Sequence, residues 1–288
     1  MSGVRSSEIL CVGRLYCDLI FSSVPRLPTL GTEVYAGGLE LHLGGGAVIT
    51  ARHLDDLGRQ VALSAVFPGP PFREFWDQEI ARTGLDTSLC SEAEQGLDPQ
   101  ITVSMTGPQD RAFLTRRSGP ATPDILPADL VARNVRHLHI GELATLAEVP
   151  RLIDVARDAG ATLSLDCSWD ETLDAAVAPL IGAVDVFLPN EEESERLRSL
   201  GVSEPFAPLT VTKRGPRGAV ARQGNAFRSA PARDVPVTDT TGAGDAFNAG
   251  FLTAWLDGAE LQSCLDAGNC RGSAAVQVVG GSPRRRPI

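Results

Sequence analysis

The chain has 288 residues, of which 43% are hydrophobic and 22% are charged, a composition typical of globular proteins. Its 26 basic and 36 acidic side chains give a formal net charge of −10, which argues against a nucleic-acid partner because such binding needs a basic surface. Lys213 is the only lysine, and this excludes both a Walker A phosphate loop ending in Gly-Lys-Ser/Thr and a catalytic lysine elsewhere.

The cysteines and apolar runs indicate the cellular compartment of the protein. The six cysteines form no Cys-x-x-Cys pair and lie in apolar runs, which is typical of small buried side chains in a reducing compartment. The N-terminus lacks the apolar core of a signal peptide, and no segment approaches the ~20 apolar residues of a membrane helix. We therefore expect a cytoplasmic protein with no membrane partner.

Short apolar runs alternate with segments of helical periodicity along most of the chain. The strand-like runs are 9–13, 61–66, 136–140, 161–165, 184–188 and 209–212. The helical segments are 47–57, 72–82, 149–159, 173–181, 191–200, 243–256 and 260–278. Strands that alternate with helices in this way predict βαβ units, and therefore an α/β fold whose mainly parallel sheet has helices on both faces.

Two regions interrupt this alternation, residues 14–43 and residues 97–117. The first contains prolines and glycines among alternating apolar positions. The second has two strand-like runs, 101–105 and 111–115, separated by Gly107-Pro108-Gln109-Asp110, which is typical of a β-hairpin. Both regions predict a small β-sheet that projects from the main domain, and the sequence alone leaves open whether this sheet covers a site.

The segment with the clearest chemistry runs from Asp239 to Leu252 and reads Asp-Thr-Thr-Gly-Ala-Gly-Asp-Ala-Phe-Asn-Ala-Gly-Phe-Leu. Gly242 and Gly244 let backbone N–H groups point outward at the start of a helix, where the helix dipole favours an anion. Asp245 places a carboxylate in this nest, which fits a base that takes a proton from an attacking hydroxyl. The alternative interpretation is an ordinary acid in the first turn of a helix.

This segment resembles the C-terminal signature of the ribokinase/PfkB carbohydrate kinase family. Other family-like elements follow in the expected order: Gly13 with Asp18, Gly44-Gly45-Gly46-Ala47, Pro189-Asn190-Glu191-Glu192-Glu193, the turn from Thr212 to Ala219, and Ala267-Gly268-Asn269. The similarity extends from about residue 9 to residue 281. It implies a single ribokinase-like domain over residues 1–288, a three-layer α/β/α sandwich with a small β-sheet lid from about 14–43 and 97–117.

The resemblance also implies a role for each matching residue. Asp245 would be the general base, and the backbone N–H groups of Gly242, Ala243 and Gly244 would form an anion hole for the transferring phosphoryl group. The sugar would be held by Asp18, Gly44 and Gly45, with Glu142 as a further substrate-facing acid. The nucleotide would contact Lys213, Gly215, Gly218 and Asn269.

Asn190 and Glu193 resemble the family's Asn-x-x-Glu element and would organise Mg²⁺, largely through water molecules. From the residues alone, a helix cap followed by solvated acids is the alternative interpretation of this pair. The resemblance further implies K⁺ as a candidate cation near the anion-hole loop and a homodimer formed through the lid.

The function implied is ATP-dependent transfer of a phosphoryl group to a hydroxyl of a small sugar or sugar acid. Two alternatives stay open. One is a nucleoside kinase of the same family, which an aromatic stacking surface on the lid would favour; Tyr16, Phe21, Tyr35 and Phe113 are the aromatic residues there. The other is a catalytically weak sugar-binding sensor on the same scaffold.

Two positions depart from the family pattern. An asparagine that bonds substrate hydroxyls usually stands four residues after the second glycine, where this chain has Ile49 followed by Thr50. Either Thr50 helps in its place or the substrate lacks that hydroxyl. Residues 166–169, Asp-Cys-Ser-Trp, replace the more usual Asp-x-Asn-x-Arg, so an anionic acceptor would need another arginine; the candidates are Arg14, Arg26, Arg111 and Arg116.

Overall fold

Strands and helices alternate within residues 5–97, 99–107, 111–168 and 170–281, which the computed structural model describes. The strands there are β1 (Ile9–Val12), β2 (Tyr16–Ser22), β3 (Gly38–Gly44), β4 (Val61–Ser64), β5 (Val66–Phe67), β6 (Ser91–Glu92), β7 (Ile101–Thr106), β8 (Arg111–Arg116), β9 (His137–Ile140), β10 (Thr162–Asp166), β11 (Val186–Leu188), β12 (Leu209–Lys213), β13 (Ala219–Gln223) and β14 (Ala226–Ala230). The helices are α1 (Gly46–Asp56), α2 (Arg73–Ile80), α3 (Pro127–Arg133), α4 (Leu143–Glu148), α5 (Leu152–Asp158), α6 (Ala178–Gly182), α7 (Glu191–Ser199), α8 (Ala243–Leu256) and α9 (Leu261–Ala275).

The main sheet has eight strands in the order β14-β13-β12-β11-β10-β9-β1-β4. The strands from β12 to β4 are parallel to their neighbours, and only β13 and β14 pair antiparallel at one edge. The predicted mainly parallel sheet is therefore confirmed. Strands β13 and β14 were not predicted, because alanine and arginine dominate them and only the Gly224-Asn225 turn between them marks a hairpin.

Helices cover both faces of this sheet because its buried strands are apolar on both sides. In β1, Ile9 and Cys11 pack in one apolar cluster with α1, while Leu10 and Val12 pack in another with α4 and α5. All four side chains are fully buried, and each large aliphatic one contributes about 1.5–3 kcal/mol by leaving water. The three-layer α/β/α arrangement follows from this alternation.

The four-stranded lid sheet has the order β3-β2-β7-β8, and its strands fall within the two regions that interrupt the alternation. Strands β2 and β7 are parallel, while the outer pairs are antiparallel. Asp18 pairs with His42 and Thr102, and side chains of directly paired residues share a face. Leu19 and its partners form the other face. The lid is therefore polar on one face and apolar on the other, while residues 108–110 of the predicted hairpin turn lie outside the described residues.

Three helical predictions need correction. The helix predicted for 149–159 begins only at Leu152, and the unpredicted helix α4 precedes it, because Pro150 cannot donate the hydrogen bond that a continuous helix requires. The helix predicted for 173–181 is a short 3₁₀ turn, Ala175–Val177, followed by α6, with Pro179 near the start of that helix. The helix predicted for 260–278 ends at Ala275.

All six cysteines are free thiols. Among the described residues, no group of three or more histidine, cysteine or acidic side chains is placed to hold a metal ion. In the same part of the chain, no helix combines the length and apolar character needed to cross a lipid bilayer.

Candidate active site

The start of α8 forms the turn that the sequence assigns to phosphate binding. Gly242 caps this helix with a φ of +68°, in the left-handed region that favours glycine, and a Cβ atom there would lie 2.4 Å from Cα of Gly281. Gly242, Ala243 and Gly244 all line one cleft of about 850 Å³. The first N–H groups of a helix lack intrahelical acceptors, so this turn supplies hydrogen-bond donors to the cleft. One of them, the Ala243 N–H, also makes a long hydrogen bond of 3.3 Å to the Thr240 carbonyl.

Asp245 lies in the first turn of α8 and lines the same cleft. Its Oδ1 atom is 3.5 Å from Oγ1 of Thr50 and 3.0 Å from the position that a Cβ atom on Gly46 would occupy. Burial and then the negative charge of Asp166, opposed by Lys213, raise the pKa of Asp245 well above its usual value. A carboxyl group with a raised pKa that faces a cleft is suited to accept a proton.

The single lysine lies beneath this turn. Its Nζ atom is 2.9 and 3.0 Å from the carboxylate oxygens of Asp166, and 3.3 Å from Oδ1 of Asn248. Burial lowers the pKa of Lys213, but Asp166 and Glu193 outweigh this effect and raise it, so the ammonium group is charged. Lys213 also lines the cleft, 3.4 Å from where a Cβ atom on Gly244 would lie, so the predicted nucleotide contact remains a prediction.

Asp166 and Asn248 both contact Lys213 in the structure, although no sequence motif had predicted a role for either residue. Asn248 Nδ2 donates to Asp166 Oδ2 at 2.5 Å and completes a buried triad. Two sequence signals were available. Asp166 ends a buried strand at the carboxyl edge of a parallel sheet, and Asn248 is a polar residue in an otherwise apolar helix segment.

Asn190 and Glu193 line the cleft from the start of α7. Glu193 N–H donates to Asn190 Oδ1 at 2.8 Å, and Asn190 N–H donates to Glu193 Oε2 at 2.7 Å. This reciprocal pair of hydrogen bonds is a capping box. The helix cap that the sequence offered as the alternative interpretation of Asn190 is therefore present. Burial and the charge of Asp166 raise the pKa of Glu193 to about 7.

The far side of the cleft contains the residues that the resemblance assigns to the nucleotide, together with apolar side chains. Gly215, Gly218 and Asn269 line it, as do the apolar side chains of Val235, Val237, Phe247 and Val276. The Asn269 amide donates to the carbonyl oxygens of Ala230 and Pro231 at 3.0 and 3.1 Å, so it fixes the loop after β14. A partly apolar cleft of about 850 Å³ is within the range of cofactor sites.

The residues predicted to hold the sugar include Gly44, Gly45 and Glu142. They are close in sequence to Gly46 and Gly141, which line the cleft. A Cβ atom on Gly44 would lie 2.0 Å from Oδ1 of Asp18, so the carboxyl group of Asp18 rests directly on the glycine backbone. Gly45 has a φ of +106° and passes against the Arg14 carbonyl. Burial raises the pKa of Asp18 to about 7, although a hydrogen bond with Thr102 opposes the shift.

Glu142 is buried at the start of α4, where it accepts a 2.8 Å hydrogen bond from Thr145 Oγ1 and lies 3.8 Å from Nε of Arg14. Burial raises the pKa of Glu142. Its predicted contact with substrate remains a prediction, because these two neighbours already engage the carboxylate.

The arginines that could bind an anionic acceptor differ in their burial and in their hydrogen-bond partners. Arg14 donates to Oε1 of Gln100 at 2.8 Å and to the Gly119 carbonyl at 2.7 Å, and it also pairs with Glu148. Arg26 and Arg116 are exposed, and the side chain of Arg111 lies outside the described residues.

Arg117 links the end of β8 to the main domain, a contact that the sequence did not predict. Its Nε donates to the hydroxyl of Tyr16 at 3.2 Å, and its guanidinium pairs with Asp170.

The substitution at the family's asparagine position has a structural consequence. Ile49 is buried in the apolar cluster of α1, while Thr50 is fully buried and reaches both Oδ1 of Asp245, at 3.5 Å, and its carbonyl oxygen, at 3.4 Å. Thr50 therefore contacts the candidate base.

The sequence matches the pfkB family carbohydrate kinases over residues 6–286. The chain belongs to this family. The prediction of an ATP-dependent sugar kinase with a ribokinase-like fold is thereby confirmed.

The chain is similar to several pfkB family proteins along most of its length. It is 28% identical over 264 residues to a fructoselysine 6-kinase of Escherichia coli, covering 88% of this chain and 98% of the relative. It is 28% identical over 263 residues to a 2-dehydro-3-deoxygalactonokinase of Haloferax volcanii, covering 83% and 79%. Its fold matches a nucleoside kinase structure from Methanocaldococcus jannaschii with a TM-score of 0.79 at 21% identity, covering 97% and 94% of the two chains.

The raised pKa of Asp18 predicts a pH-dependent stability effect that needs no substrate. The folded state holds this proton more tightly than the unfolded state, so stability falls as the pH rises from about 4 to about 7. Asp18→Asn stays neutral, and we expect its melting temperature to exceed the wild-type value by a few degrees at pH 8 and by less at pH 5. Thermal denaturation at both pH values measures this, with the exposed Asp154→Asn as a control whose difference from wild type does not change.

Proposed function

We propose that this chain transfers the γ-phosphoryl group of ATP to a hydroxyl of a small sugar or sugar acid, with Asp245 as the general base. The observation that carries the proposal is the position of the Asp245 carboxylate. It lies in the first turn of α8, beside the phosphate-binding turn, and it adjoins Gly46 where the nucleotide cleft reaches the acceptor side. A phosphate-binding turn alone has no use for a carboxylate at this point.

The base acts on the attacking hydroxyl. As the acceptor oxygen approaches the γ-phosphorus atom in line, its proton passes to the Asp245 carboxylate. Burial and the charge of Asp166 raise the pKa of Asp245, which makes it a stronger base, while Lys213 keeps a positive charge nearby. Thr50 restrains the carboxylate through its hydroxyl.

The transferring group gains negative charge that must be stabilised. The N–H groups of Gly242, Ala243 and Gly244, together with the dipole of α8, are placed to do this without a basic loop. Asn248 and Asp166 hold the Lys213 ammonium group below the turn, where it adds a fixed positive charge.

The donor set fits Mg²⁺, which would neutralise part of the charge of the ATP phosphates and would be held by Glu193 and Asp166. Glu193 and Asp166 bring carboxylate oxygens to the same cleft. Burial and then the charge of Asp166 raise the pKa of Glu193, and a bound cation would offset the repulsion between the two carboxylates. Asn190 would orient Glu193 through the capping box. K⁺ stays a prediction, and no step depends on it.

The lid supports a polar acceptor. Asp18, His42, Thr102 and Thr115 follow one cross-strand row on one face of the lid sheet, and their side chains offer hydrogen-bond partners to hydroxyl groups. We propose that this sheet is the lid of a single kinase domain and closes over the acceptor. Because a fructoselysine 6-kinase and a 2-dehydro-3-deoxygalactonokinase are among the similar proteins, we propose to test sugar derivatives and sugar acids as acceptors.

One observation favours nucleosides as a second class of acceptor. Phe113 pairs with Ser104, which in turn pairs with Ile20, so it lies on the same lid face as Asp18 with 53% of its surface exposed. An aromatic ring there provides a stacking surface for a base. Tyr16 is less suited to this, since it is buried and bonded to Arg117.

The variant Asp245→Asn tests the catalytic assignment. With an acceptor identified by ADP release across sugars, sugar acids and nucleosides, we expect this variant to bind nucleotide normally and to lose at least ~10²-fold in kcat. Asp257→Asn, the same change at the other end of α8, is the matched control and should keep wild-type turnover. Equal turnover of Asp245→Asn and wild type would contradict the assignment, and acceptor binding without any ADP release would favour a sensor.

The metal role of Glu193 is separable from its capping role. Glu193→Gln keeps an acceptor for the capping box but removes the negative charge, so we expect half-maximal ADP release to need several-fold more Mg²⁺ with no fall in melting temperature. Asn190→Ala should raise the Mg²⁺ requirement too, and it should also cost about 1 kcal/mol of stability through the lost cap. Glu191→Gln, at the neighbouring position, serves as the control. If neither variant changes the requirement, the pair has no metal role.

The apolar face of the lid supports a homodimer. Phe21 lies between Leu39 and Met105, and Leu39 and Leu114 are 57% and 69% exposed. Apolar surface of this kind is typical of an interface. We expect a mass of twice 30.4 kDa by light scattering and a mass of 30.4 kDa for Leu114→Lys. Phe113→Lys, one residue away on the opposite face, should leave the dimer intact, and a monomeric wild-type protein would contradict the proposal.

A further inference from the structure

Residues 279–281, here called the C-terminal strap, lie against the phosphate-binding turn. The contact is between backbones, since a Cβ atom on Gly281 would lie 2.7 Å from Cα of Gly242. Gly280 N–H donates to Oδ2 of Asp239 at 3.0 Å. The other oxygen of this carboxylate accepts from the N–H and the hydroxyl of Thr241, at 2.9 and 2.8 Å. Asp239 thus ties the strap and the turn together.

The strap is fixed from its other side by His53 of α1. This side chain is buried, and its Nε2 atom lies 2.9 Å from the carbonyl oxygen of Gly281. The Nε–H of Arg271 donates to His53 Nδ1 at 2.9 Å. Because a guanidinium group can only donate, Nδ1 must accept, and the ring proton must therefore be on Nε2, where it is donated to Gly281.

The imidazole ring is held in this state over a wide pH range. Burial and then Arg271 lower the pKa of His53 to about 4, so the ring is neutral near pH 7. Arg271 itself pairs with Asp56, one turn along α1 from His53. The tautomer and the direction of the bond to Gly281 are therefore set by α1 and α9 together.

The lid touches the same strap. Gly280 has a φ of +79°, and a Cβ atom on it would lie 2.3 Å from Nδ1 of His42, which projects from β3. The strap is thus enclosed by the lid, α1 and the phosphate-binding turn. A side chain at either glycine would separate these three parts.

We propose that His53 is a positioning residue for phosphoryl transfer: by holding the carbonyl group of Gly281, it keeps the strap against Gly242 and so fixes the donors at the start of α8. This inference rests on the proposed function of that turn. Donor groups aimed at a developing charge are effective only when their geometry is set beforehand, and displacements of about 1 Å are costly.

The test compares His53→Ala with His53→Gln. The alanine variant lacks a donor for Gly281, and we expect kcat to fall about 10-fold to 100-fold with the acceptor KM unchanged. Glutamine places an N–H donor at a similar reach, and it should restore kcat to near the wild-type value. Hydrogen exchange of peptides covering 239–246, measured without substrates, should rise in the alanine variant and stay at the wild-type level in the glutamine variant.

Leu54→Ala is the matched control, because it removes a fully buried side chain at the next position of α1 and lowers stability without touching the strap. It should leave kcat and exchange over 239–246 unchanged below its melting temperature. An equal loss of kcat in Leu54→Ala and His53→Ala, or unchanged exchange in His53→Ala, would overturn the proposal. A wild-type protein inactive toward every acceptor would refute the proposed function, whereas exchange would still show whether His53 fixes the turn.

Discussion

The ion pair between Lys213 and Asp166 is the interaction on which the candidate active site depends. Three carboxyl groups, Asp166, Glu193 and Asp245, face one partly buried cleft. Burial and then the negative charge of Asp166 raise the pKa of Asp245 and of Glu193. The ammonium group of Lys213, the only lysine in the sequence, opposes these shifts. Removing one partner of such a buried pair costs about 3–5 kcal/mol, because the remaining charge has no counterion. Lys213, which does not belong to a Walker A loop, thus offsets part of the negative charge of these three carboxyl groups.

Close backbone contacts bring the other parts of the site to this charge cluster. Gly44 lies under the carboxyl group of Asp18, Gly46 lies against the Gly141 carbonyl beside Asp245, and Gly242 meets Gly281. A Cβ atom on each of the three would lie within 2.4 Å of the neighbouring atom. A larger residue at these points would separate α1, the lid or the strap from the start of α8. The glycines therefore determine which elements can meet, while the charged residues determine what chemistry is available there.

The sequence predicted the parts that depend on local pattern. Alternating strands and helices predicted the parallel sheet, the glycine-rich segment predicted the start of α8, and two irregular regions predicted the lid. It did not predict the partners of buried polar groups, because these depend on distant segments: Asp166 and Asn248 are 82 residues apart, and His53 and Gly281 are 228 apart. Strands such as β14, with four exposed residues and one buried residue, also lack a clear apolar pattern.

The loss of the family's asparagine changes the site beyond the acceptor pocket. Ile49 is aliphatic and belongs to the core, while the hydroxyl of the next residue, Thr50, lies 3.5 Å from Oδ1 of Asp245. Three positions further along the same helix, His53 holds the strap. Residues three and four apart share one face of a helix, so α1 directs both polar side chains at the start of α8. Under the proposed function, α1 would therefore serve the phosphoryl-transfer side, and recognition of the acceptor would fall more heavily on the polar face of the lid.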